Sequence, residues 1–208
     1  MAQGASTVTK RSQAVTRPYF DFEEESHIYS LGGVRLPSVT QILKDLSLYP
    51  DFPAGPYRIR GRAVHKICEL FDRGIALDES QCGEGVLGFL QAWKAVSKEY
   101  GWEWLGIEER MFDPLLLVAG TLDRRGTWMG KRLIMDIKSG SAGREVELQL
   151  AAYAQMAFPE DAATVLRAKV EIHGDGTYAP PVFYEDWQDF TAWQGAVNLW
   201  KWKQKRRS

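Results

Sequence analysis

The sequence predicts an α/β fold: a central mixed β-sheet flanked by helices, preceded by an N-terminal hairpin and helical segment. Three observations predict it. Strand-like runs of period two cluster in the middle of the chain, and helical runs of period 3.6 lie on both sides of them. The order helices, three strands, helix, two strands, helix is that of a layered α/β arrangement. The chain of 208 residues, 45% of them hydrophobic and 25% charged, fits one core with enough apolar surface to offset chain entropy. The expected division is a flexible tail over residues 1–17 and a single domain over 18–208.

Residues 18–36, PYFDFEEESHIYSLGGVRL, hold two aromatic and β-branched runs and then Gly32-Gly33, which suits a small antiparallel hairpin or meander. Ser38 followed by Gln41 is a capping-box pattern that opens a short helix over SVTQILKDL, with Gly and Pro near residues 53–56 ending it. From Tyr57 to Phe71 the apolar residues Ile59, Ala63, Ile67 and Leu70 or Phe71 recur at helical spacing, while Arg58, Arg62, His65 and Glu69 share another face. Residues 84–99 form a second amphipathic helix, with Val86, Phe89, Leu90, Trp93 and Val96 inward.

The period then changes. WEWLGIEERMF, LLLVAGTLDRRG and KRLIMDIKSG read as three successive strands, separated by Asp113-Pro114 and by turn-like regions at Gly126 and Gly130. EVELQLAAYAQMA is strongly helix-forming, VLRAKVEIHGDGTYAPPVFY reads as two strands joined around Gly174-Asp175-Gly176, and DWQDFTAWQGAVNLWKWKQ reads as a closing helix. Trp93, Trp102, Trp104, Trp187, Trp193 and Trp200 fall at helical or strand spacing and are expected in the core.

With 26 Lys and Arg against 27 Asp and Glu, no overall basic field advertises a polyanionic partner, so any nucleic-acid surface must be local. Arg58, Arg60, Arg62 and Lys66 form one such patch, and the terminal KWKQKRRS, with its lysines, arginines and Trp202, forms another. Two cysteines, Cys68 and Cys82, build neither a disulfide framework nor a four-cysteine zinc or iron–sulfur site. No apolar run is long enough for a membrane span, and a reducing cytoplasm is the simplest setting. The polar, Ser-containing, acid-poor start also fits a mitochondrial transit peptide.

The chemistry concentrates in GTLD (120–123), DIK (136–138) and QLAAY (149–153). Asp123 falls near the end of one expected strand. Asp136 and Lys138, two apart in the next, leave the same face of the sheet. Two carboxylates with such spacing can hold a hard cation such as Mg²⁺ or Mn²⁺ for phosphodiester cleavage, with the Ile137 carbonyl as a further oxygen ligand if the strand bends. Lys138 beside them can orient the attacking water and offset charge developing on the phosphate. Gln149 and Tyr153, four apart, share one helix face, and Tyr153 reads equally as a core aromatic. On the earlier helix His65 can be a metal ligand, with Glu69 or water fixing its other nitrogen.

The succession GRAVHKICE (61–69), GTLD, DIKSG (136–140) and QLAAYAQ (149–155) resembles the PD-(D/E)XK nuclease superfamily, and more specifically its RecB-type and phage exonuclease branch. HIYSLGGVRLPSVTQIL is similar to the N-terminal segment of phage members. The resemblance implies a restriction-endonuclease-like sheet, with His65, Asp123, Asp136 and the Ile137 carbonyl as metal ligands and Lys138 as the catalytic lysine. It makes Gln149 and Tyr153 a QxxxY pair that lines the site and helps hold DNA. It adds a carboxylate from the preceding strand, for which Glu108 is placed better than Glu109 on the opposite face. Arg58, Arg62 and Lys66 would contact DNA. The implied activity is a Mg²⁺- or Mn²⁺-dependent exonuclease acting on linear single- or double-stranded ends in phage replication or recombination, in a bacterial or phage-infected cytoplasm. A restriction-like or structure-specific endonuclease and a non-catalytic DNA-binding module are the alternatives. The implied partners are a single-strand-annealing recombinase or single-strand-binding protein, and further copies of the chain. The sequence departs from the family in having Leu122, not proline, before Asp123, and in lacking the four cysteines of the iron–sulfur members.

Overall fold

The structure, a computed structural model, describes residues 19–49 and 55–205. The tail expected over residues 1–17 and Arg206 and Arg207 of the basic C-terminal run lie outside the described residues. Gly and Pro near 53–56 are expected to end the first helix, but that helix already stops at Asp45, and Gly55 and Pro56 instead open the next one, where a missing N–H costs nothing. Phe20–Glu23 (β1), Ile28–Leu31 (β2) and Val34–Leu36 (β3) pair antiparallel in that order, so the N-terminal element is the meander form of the expectation. Gly32 and Gly33, both at positive φ, make the tight turn between β2 and β3. Val39–Asp45 (α1) opens on Ser38, whose Oγ accepts the Gln41 N–H at 3.0 Å. Pro56–Asp72 (α2) and Glu84–Tyr100 (α3) follow. Glu103–Asp113 (β4), Val118–Trp128 (β5) and Lys131–Lys138 (β6) form three strands of a second sheet. Glu145–Ala157 (α4) leads to Leu166–Glu171 (β7) and Val182–Tyr184 (β8), and Gln188–Gln204 (α5) closes the chain.

The second sheet has the order β4-β5-β6-β7-β8, with β6 and β7 parallel and the other pairs antiparallel. A parallel pair cannot be joined by a tight turn, and α4 supplies the crossover. Alternation along β6 explains why helices cover both faces. Leu133, Met135 and Ile137 enter one core with Val64, Cys68, Leu90 and Trp93 of α2 and α3, whereas Ile134 enters the other with residues of α1, α4 and α5. Asp136 and Lys138 share the parity of Ile134 and therefore leave β6 on the α4 side.

Several local expectations differ from the structure. β5 does not turn at Gly126 but continues to Trp128, which places Asp123 in mid-strand; the turn into β6 is made by Met129 and Gly130, both at positive φ. A Cβ on Gly126 would stand 2.0 Å from the Glu103 carbonyl oxygen, so this glycine permits close strand approach where a turn was expected. Ile59 is 71% exposed, because the first turns of α2 project past the core and its inward face begins at Val64. Trp187, expected in the core, is 65% exposed just before α5.

The β7–α5 junction rests on one buried ion pair. Arg167 donates from Nη1 to Asp189 Oδ2 and from Nη2 to the Asp186 carbonyl, each at 2.8 Å. Removing one partner leaves the other charge buried and uncompensated, so Arg167→Ala is expected to destabilise the protein by about 3 kcal/mol, read from the urea midpoint. Arg144→Ala, which breaks an exposed pair with Glu147, is expected to leave the urea midpoint essentially unchanged.

Candidate metal centre

The β5–β6 ladder runs from Trp128↔Lys131 to Arg124↔Met135. One step further, where Asp123 faces Asp136, the backbone pairing stops and a side chain takes over: the Ile137 N–H donates to Asp123 Oδ2 at 2.7 Å. On the other side, the β4–β5 partners skip from Ile107↔Arg124 to Glu109↔Leu122. Glu108 between them has φ of 51°, a left-handed conformation that costs a non-glycine residue about 1–3 kcal/mol. The irregularity has a geometric result. Strict alternation would send Asp123 and Arg124 to opposite faces, yet both reach α2, Asp123 at His65 and Arg124 at Asp72.

His65 Nδ1 lies 3.5 Å from Asp123 Oδ1 and 3.8 Å from Glu108 Oε1. His65, Glu108 and Asp123 each offer one ligand atom, and these atoms lie within 4.8 Å of one another, so the group can hold a divalent ion. Asp136 stands outside that group. Its buried Oδ2 forms an ion pair with Lys138 Nζ at 2.7 Å. Lys138 Nζ donates to Gln149 Oε1 of α4 at 3.2 Å. A donor set of buried carboxylates with an imidazole beside them fits a hard or borderline cation. The Lys138 carbonyl accepts from Ile172 on the β7 side, so by strand geometry the Ile137 carbonyl leaves toward β5, by the same edge as its N–H.

Burial disfavours charge on each of these groups, and their neighbours decide which stay ionised. Burial opposes the His65 imidazolium, but Asp123 and Glu108 outweigh it and push its pKa up to about 10. Burial would raise Asp123, yet His65, the Ile137 N–H and Lys138 hold it below the usual carboxylate range. Burial pushes Asp136 up to about 6, with Lys138 pulling against it and Asp123 reinforcing it. Burial works against the Lys138 ammonium, but Asp136, Tyr49 and Asp123 outweigh it and raise its pKa. Lys138 is therefore a cation at neutral pH, suited to stabilising negative charge and not to acting as a base.

Other residues singled out by sequence are placed as follows. Glu69 does not approach His65; it pairs with Lys66 and Arg73, each at 2.9 Å. Glu109 forms a bidentate pair with Arg125, away from His65. Tyr153 is 4% exposed and lies against Gly120, where a Cβ would stand 2.6 Å from Tyr153 Cε1; the glycine of GTLD is thus a packing requirement of the tyrosine. Gln149 is also buried. Arg58, Arg62 and Lys66 are exposed along α2. A Cβ on Gly61 would touch Ser139 Oγ at 3.8 Å, so this part of α2 lies against the turn that follows Lys138. Sequence reasoning missed Arg124 and Asp72, which meet beneath the site at 2.6 Å. The signal was Asp72 seven residues after His65, on the same helical face.

No protein-family model matches the chain, and no curated protein matches it. Among solved structures, one described as a "Putative exonuclease" from Eubacterium rectale is similar at a TM-score of 0.42 and 7% identity, over 76% of this chain and 69% of that one.

Protein stripped with EDTA is expected to bind Mn²⁺, measured by the loss of the free-ion electron paramagnetic resonance signal. Asp123→Asn should weaken that binding at least about tenfold, while Glu69→Gln leaves it unchanged. Gly120→Ala is expected to lower stability by about 1–3 kcal/mol in thermal unfolding, because Tyr153 has no room to retreat.

Proposed function

We propose that the protein is a metal-dependent nuclease that hydrolyses DNA phosphodiester bonds from ends, with Mg²⁺ or Mn²⁺ as its resident ion. The observation that carries this reading is the meeting of His65 from α2, Asp123 from β5, and Asp136 and Lys138 from β6 at the place where β5 and β6 stop pairing. His65, Asp123, Asp136 and the Ile137 carbonyl would hold the ion, with Glu108 as an additional carboxylate. When bound, the ion supplies Lewis acidity and a template for a phosphate oxygen and a water.

The chain's own residues supply the rest. Lys138 keeps its proton and offsets negative charge that develops on the phosphate, and Gln149 fixes the direction of its ammonium. Tyr153, one helical turn further along α4, shares the buried face of Gln149. Arg58 and Arg62 would take backbone phosphates, which their exposure on α2 supports, and Lys66 would join them by exchanging Glu69 for phosphate. The net charge of −1 for the whole chain supports binding through such a local patch. The resemblance of the motifs to the RecB-type branch supports linear DNA as substrate and phage replication or recombination as the setting. A strand-annealing or single-strand-binding protein would receive the product strand.

Digestion of end-labelled single strands, linear duplex and covalently closed circles with Mg²⁺, Mn²⁺ or EDTA tests the reading. Loss of linear DNA alone, abolished by EDTA and slowed about 10²–10³-fold by Lys138→Ala, is the expected result. Cut circles would indicate an endonuclease, and DNA binding without metal-dependent turnover would indicate a binding module.

A further inference from the structure

Arg124 is fully buried in the middle of a β-strand. A guanidinium in that position gives up its hydration, and the cost is offset only where its N–H groups find acceptors. Nε donates to Asp72 Oδ2 at 2.6 Å, and Nη1 donates to Glu108 Oε1 at 3.1 Å and to the Asp123 carbonyl at 2.7 Å. Trp93 closes the far side, with its ring centroid 5.6 Å from the guanidinium carbon and its Nε1 donating to both Asp72 oxygens at 3.0 Å. Nη2 is buried with no partner. A pair serving only to bind α2 to the sheet would be complete with Asp72, yet a second arm of the fork is turned toward the candidate centre.

Each acceptor belongs to, or holds, a candidate ligand. Asp72 lies on the same face of α2 as His65, seven residues on, and pins that helix. Glu108 is itself one of the grouped residues, and the oxygen that accepts from Arg124 is the one 3.8 Å from His65 Nδ1. The third acceptor is the backbone carbonyl of Asp123. We infer that Arg124 is a positioning residue, whose planar fork sets the spacing of His65, Glu108 and Asp123 and holds Glu108 in its left-handed conformation. This inference rests on the metal-site reading above. A lysine cannot substitute, because a single ammonium does not present a rigid set of donors to three acceptors on three elements.

The test is Mn²⁺ titration at low temperature, with folding of every variant checked by circular dichroism. Arg124→Lys, which keeps the charge and loses the fork, is expected to weaken Mn²⁺ binding about 10- to 100-fold in a folded protein, a loss that a merely structural pair would not produce. Asp72→Asn, which leaves Arg124 and all three candidate ligands in place, is expected to weaken it less and carries the test if the lysine variant does not fold. Arg125→Lys, whose guanidinium faces Glu109, is the control expected to bind as wild type does. Wild-type affinity in folded Arg124→Lys, or in Asp72→Asn should the former not fold, would overturn the proposal while leaving the metal site standing. Failure of the wild type to bind Mn²⁺ would remove the metal-site reading and this proposal together.

Discussion

Asp123 and Asp136 face each other from neighbouring strands in the interior of the five-stranded sheet, and two carboxylates so placed stay ionised only with positive charge or N–H donors close by. Much of the surrounding structure meets that demand. α2 brings His65 to 3.5 Å from Asp123, β6 turns an N–H toward Asp123, and Lys138 stands 2.7 Å from Asp136. Without a bound cation, the His65 imidazolium and the Lys138 ammonium supply the charge that balances the carboxylates. A divalent ion would take over the part played by the imidazolium, since an imidazole ligates in its neutral form.

The same demand accounts for the local departures from regular structure. A ladder kept through Asp123 would engage the Ile137 N–H with a backbone carbonyl and leave it unavailable to the Asp123 carboxylate, and a Glu108 in ordinary extended geometry would follow the alternation of its neighbours. The left-handed backbone at Glu108 and the interrupted pairing sit in one small region, while the two apolar cores on either side of the sheet stay regular. Glu108 is the one of the grouped residues with left-handed backbone, and the packed cores around it hold that conformation in place.

Much of the layering was legible in the sequence, because period and punctuation are local. The α4 bounds follow from an uninterrupted run of helix formers between Gly143 and Pro159, and the common face of Asp136 and Lys138 follows from the two-residue repeat of a strand. What was not legible depends on contacts far apart in the chain. The arrival of Asp123 and Arg124 on one side of β5 needs the irregular pairing with Glu108, which no property of GTLDRRG announces. The Asp72–Arg124 pair joins positions 52 apart. The apolar spacing of Ile59 is genuine, but the helix there extends beyond the body that would have covered it. Gly120, the first residue of GTLD, is explained only by the ring of Tyr153 lying on it.

The central claim, that these residues form one divalent-cation site, is tested most directly by crystals soaked in Mn²⁺ and measured at the manganese edge. The account predicts an anomalous peak between α2 and the open end of the β5–β6 ladder, about 2–2.3 Å from the ring of His65 and from oxygens of Asp123 and Asp136. A peak held elsewhere on the chain, or none at this site with ordered side chains still in the His65–Asp123 and Lys138–Asp136 contacts, would contradict it.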